Sequence, residues 1–80
     1  MRIRVQDGRV FEGTPTQIVQ SMKSIALGAP QMTLGEYIDW VAARAGIIEG
    51  TPLQVGGTSE EERCERLVAR MLELGLAHEA

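Results

Sequence analysis

Three short stretches, TPTQ at 14–17, TLGE at 33–36 and TSEEE at 58–62, each set a hydroxyl side chain three positions ahead of a Gln or Glu. That spacing is the capping box, in which the hydroxyl accepts from a backbone amide inside the helix and the longer side chain reaches back to the cap. Three such starts in 80 residues leave room for three helices and little else. In the first, Thr14 caps, Pro15 takes the first helical position and Gln17 closes the box. Ile18, Met22, Ile25 and Ala26 then recur at helical spacing as a core face, and Gly28 and Pro30 supply the stop.

The second helix opens at Thr33 with Glu36 and is expected to close at Gly46. Leu34, Ile38, Val41 and Ala45 lie within about 40° of one line along it, with Ala42 near 80°, and form its core stripe. Tyr37 stands roughly 60° to the other side, where its hydroxyl is expected to stay wet. Trp40 falls about 120° away on that same flank. Arg44 follows Trp40 by four residues, close enough to lie over its ring. In the third helix either Thr58 or Ser59 can cap, with Glu61 or Glu62 reaching back. It runs to about Leu74 and carries Cys64, Leu67, Val68 and Met71 on one stripe. Gly75 fits the left-handed position beyond its end, and Leu76 can touch Met71 in a Schellman motif.

Ahead of the helices, RIRV at 2–5 and RVFE at 9–12 flank Asp7-Gly8, a hairpin signal. A two-residue loop would set Ile3 against Glu12. A three-residue loop with Gly8 left-handed pairs Val5 with Arg9, Ile3 with Phe11 and Arg2 with Glu12. The second register gathers Ile3, Val5 and Phe11 on one face and is favoured. Thr51, Leu53 and Val55 alternate with Pro52 and Gln54 and read as a short strand, at an edge because Pro52 has no N–H. The expected fold is α+β in the order β-β-α-α-β-α, a single domain over 1–80 with residues 76–80 as a frayed tail.

The side chains limit the chemistry. One Cys and one His cannot supply a zinc centre, so neither a metal nor another cofactor is expected. Cys64 falls on the apolar stripe, and His78 lies in the expected tail, so neither suits nucleophilic or acid–base work. VGGTSEEE resembles a phosphate loop in outline, but Glu60, Glu61 and Glu62 would repel an anion and no Lys follows the glycines. No stretch is long enough to span a membrane. The start, MRIRVQDG, lacks the apolar segment of an export signal, and a lone thiol suits the cytoplasm.

What remains is contact. Tyr37, Trp40 and Arg44 are the residue types enriched at binding hot spots, and a chain this small gains from self-association. The expectation is a non-catalytic interaction module, a homodimer through the flank of helix 33–46. The alternative is a nucleic-acid-associated regulator using Arg2, Arg4 and Arg9 on the hairpin. Against that alternative stand Glu12 opposite Arg2, Asp7 at the tip and a net charge of −3.

Overall fold

The computed structural model describes residues 1–26, 31–49 and 56–80, with side chains in the second segment described to residue 44. Strands β1 (Arg2–Val5) and β2 (Val10–Glu12) form the hairpin, followed by helices α1 (Pro15–Ile25), α2 (Leu34–Glu49) and α3 (Glu60–Glu73) and strand β3 (Ala77–Glu79). Among the described residues the architecture is α+β: a three-stranded antiparallel sheet, ordered β2-β1-β3, against three helices.

The hairpin adopts the three-residue loop. Ile3 faces Phe11 and Arg2 faces Glu12, while the Val5 amide donates to the Arg9 carbonyl at 2.9 Å. Gly8 takes φ +92, the left-handed geometry the turn needs. The Asp7 carboxylate accepts from the Arg9 amide at 2.9 Å, tying the tip together.

All three helix starts use the local chemistry their sequences carry. Thr14 and Gln17 exchange bonds of 3.1 and 2.9 Å, and Thr33 and Glu36 exchange bonds of 3.2 and 2.9 Å. At α3 it is Ser59 that caps, accepting from the Glu62 amide at 3.1 Å, while the Glu62 carboxylate takes the hydroxyl and amide of Thr58. The far end of α3 is a complete Schellman turn: Leu76 N–H donates to Met71 at 2.9 Å, Gly75 N–H donates to Leu72 at 3.3 Å, and Gly75 has φ +73.

Three expectations change. Gly46 does not close α2, which continues to Glu49; a glycine inside a helix costs only about 1 kcal/mol against Ala, which neighbouring turns can carry. Residues 76–80 do not fray. The Schellman turn sends the chain back along β1, where Val5 pairs with Ala77, Arg4 with His78 and Ile3 with Glu79. Ala77 is buried by that pairing, and the Ala80 amide donates to the Arg2 carbonyl at 3.0 Å. On α1 it is Ile18 and Val19 that are fully buried, whereas Ile25, expected in the core, is 49% exposed. The strand expected at 51–55 and the helix stop at Gly28 and Pro30 lie outside the described residues.

The inner sheet face presents Ile3, Val5, Phe11 and Ala77. Helix α1 packs beside β2 and α3 beside β3, and α2 rests on both α1 and α3. The core between them is Ile18, Val19, Ile38, Cys64, Leu67 and Val68, each almost wholly shielded from water.

Candidate interaction surface

The helix that carries the two unusual aromatics is held on both sides, and this decides where each ring goes. Because α2 lies on α1 and α3 together, its covered arc is wider than one stripe. Tyr37 falls inside it and is 4% exposed, not a wet boundary residue. Burial pushes its phenol above the usual value of 10.0. Trp40 is half-buried and packed on the core margin. Its ring centroid lies 5.9 Å from that of Tyr37 at a 32° tilt, and the Arg44 guanidinium sits 4.8 Å from the Trp40 centroid. Arg44 is exposed. The three candidate contact residues are thus brought together as a stack running outward from the core, with only its outer half available to a partner.

The backbone over 46–49 continues α2 and forms no loop there that could fold over Trp40. Residue 50 lies outside the described residues.

Tyr37 also lines a surface feature that the sequence does not signal. An open groove of about 320 Å³ runs between the hairpin tip, the end of α1 and the end of α3. Its apolar walls are Val5, Phe11, Met22, Ile25, Met71 and Leu76, with Gln6 adding a polar group at the hairpin. Asp7 and Arg9 stand at its hairpin side, 3.5 Å apart as an exposed ion pair. The two methionines, unbranched and polarisable, can reshape to whatever enters. Helical spacing marks Met22, Ile25 and Met71 as core positions. That the hairpin tip and the end of α1 leave a gap above them is a tertiary fact with no local signature.

A second depression, lined by Glu12, Gln17, Gln20, Ser21 and Ser24, is polar. Ser21 and Ser24 already donate to their own helix, at 2.9 and 2.8 Å, which leaves it poorly equipped for recognition.

The hairpin arginines divide. Arg2 and Arg4 share the exposed outer face of the sheet, where β3 adds His78 beside Arg4, but Glu12 faces Arg2. Arg9 is engaged by Asp7 at the tip. The helix start after the two glycines suits an anion poorly: Ser59 takes the Glu62 amide, and Glu60, Glu61 and Glu62 crowd the first turn with negative charge. Cys64 is completely buried, and burial raises its thiol above 9.0. Among the described residues no group of three or more His, Cys, Asp or Glu could hold a metal, and no helix is long and apolar enough to cross a membrane.

No protein-family model, curated protein or solved structure matches this chain.

Proposed function

We propose that this chain is a small non-catalytic protein-interaction module whose contact surface is the apolar groove, with the Trp40–Arg44 flank of α2 adjoining it through Tyr37. The observation that carries the reading is the groove itself: an apolar hollow walled by Val5, Phe11, Met22 and Leu76, with a half-exposed isoleucine on its rim. Large apolar side chains left at the surface around a concavity are what partner recognition uses. The side chains best suited to chemistry stand elsewhere, Cys64 sealed in the core and His78 on the outer sheet face. A lone reduced thiol suits a cytoplasmic setting.

A photo-reactive residue placed at Ile25 tests the reading. In cells that make the protein it should crosslink to a polypeptide, while the same residue at Gln20, outside the groove, should not. Equal crosslinking from both positions, or none from Ile25, would remove it.

The alternative, a nucleic-acid contact through Arg2, Arg4 and Arg9, gains one observation, the placement of His78 beside Arg4. It predicts salt-sensitive binding that Arg2→Ala with Arg4→Ala weakens. Glu12 and the Asp7–Arg9 pair make it the weaker reading.

A further inference from the structure

We infer that the partner at this groove is a second copy of the chain, related by a twofold axis that carries Ile25 of each copy into the groove of the other. The inference rests on the groove being the contact surface and goes further by identifying what fills it.

Three features of the patch support a second copy. A twofold contact brings one patch onto itself, so that patch must contain both halves of every interaction. This one has a projection, Ile25, directly beside a hollow formed by Val5, Phe11 and Leu76. It also carries both signs of charge at one edge, Asp7 and Arg9, so the rim of one copy complements the rim of its partner by exchange of ion pairs. An all-acidic or all-basic rim would repel its own image.

The size is suitable as well. At about 320 Å³ the groove is at the lower limit of small-molecule pockets, which run to about 1,000 Å³, and it is open along its length. Side chains of a partner suit it better than an enclosed ligand. A minimal specific dimer needs roughly 500 Å² from each copy, about a tenth of the 5004 Å² surface of this chain. The proposed contact therefore extends past the groove onto the hairpin tip and the end of α1 around it. Contacts of that size belong to transient rather than obligate assemblies.

Sedimentation of the purified full chain, from low micromolar to several hundred micromolar, should show a reversible monomer–dimer equilibrium. Ile25→Lys should weaken it roughly 30-fold, as loss of a central apolar anchor does. Its thermal midpoint should hold, because a cation at the last turn of α1 suits the helix dipole. Arg9→Asp places two carboxylates on each rim and should weaken pairing about tenfold at low salt, with recovery as salt screens the repulsion. Mixing Arg9→Asp with Asp7→Arg should restore a mixed dimer.

A wild type that stays monomeric at several hundred micromolar overturns the second-copy assignment. If Ile25 still crosslinks to another polypeptide in cells, the groove remains the contact surface; if it does not, both readings fall. A dimer indifferent to Ile25→Lys and Arg9→Asp also overturns the inference, since the contact then lies elsewhere.

Discussion

Arg63 on α3 donates to the carboxylate of Asp39 on α2 while its stem lies over the backbone of Gly57. The two ends of this ion pair are unequally buried, with side-chain exposures of 22% for Arg63 and 73% for Asp39. An exposed carboxylate adds only about 0.2–1 kcal/mol, so Asp39→Ala should cost no more than that in urea unfolding. Arg63→Ala should cost more, because it also strips aliphatic packing from the α2–α3 seam. Equal losses would show that the packing contributes nothing.

Gly57 itself should be hard to replace. It holds φ +156, and a Cβ there would stand 2.9 Å from the Arg63 Cγ and 3.1 Å from its amide nitrogen. Gly57→Ala should lower stability by about 1–3 kcal/mol through strained backbone and displaced Arg63 together. Gly75 isolates the conformational part, since its φ is +73 and nothing lies within 4 Å of a Cβ there. Gly75→Ala should cost about 1 kcal/mol, with Gly75→Asn milder because Asn tolerates the left-handed region. Hydrogen exchange should speed up at 77–79 in both, as the turn that aims β3 loosens. Unchanged exchange there would show that β3 pairs with β1 independently of the Schellman turn.

These cases also mark where sequence is readable. The hairpin register was legible because one residue of slip exposes Ile3 and Phe11, and the caps were legible because donor and acceptor sit three residues apart. The C-terminal strand was not. Ala77-His78-Glu79 has no apolar alternation, and it is a strand because β1 offers an open edge where the Schellman turn delivers it. Tyr37 misled for a similar reason: a projection of one helix shows its stripe but not that two other helices flank it. The Asp39–Arg63 pair spans 24 positions, and the groove joins residues from β1 to the end of α3, so neither has a local pattern to read.

The capping carboxylates predict the acid limb of the stability curve. Glu36 is held below the usual 4.5 by the Thr33 amide first and then the Thr33 hydroxyl. Glu62 is lowered by the Thr58 hydroxyl, then the Thr58 amide and Arg66. Both folded-state values lie below the unfolded ones, so the unfolded chain takes up protons first as the pH drops. Their stabilisation is therefore present above about pH 4.5 and lost as the pH falls through the folded values. Unfolding midpoints should hold from neutrality to about pH 5 and decline below it, and Glu36→Gln with Glu62→Gln should flatten that decline. An unaltered slope in the double variant would show that other groups govern the acid limb.

Cys64 should report unfolding rather than function. It is fully buried and its thiol is raised by burial, with the Thr16 hydroxyl acting in the opposite sense. A thiol reagent at pH 8 should label it only as fast as the chain opens, so labelling should slow in proportion to added stability and accelerate in Leu67→Ala, which should cost about 2–5 kcal/mol. Rapid labelling of the native protein would mean that the α3 face opens without global unfolding.

Trp40 separates the two surfaces of α2 and its surroundings. Because the indole is half-buried against the core margin and faces both Tyr37 and Arg44, Trp40→Ala should destabilise the protomer by about 2 kcal/mol, roughly half the loss for a fully buried Trp. Arg44→Ala should cost about 0.5–1 kcal/mol, the value of an exposed cation–π pair. Neither residue lines the groove. With the groove as the seam between copies, both variants should retain the dimer under conditions where the protomer is folded, whereas Ile25→Lys should lose the dimer and keep the protomer. The reverse pattern, a stable monomer from Trp40→Ala and an intact dimer from Ile25→Lys, would move the contact from the groove to the aromatic flank of α2.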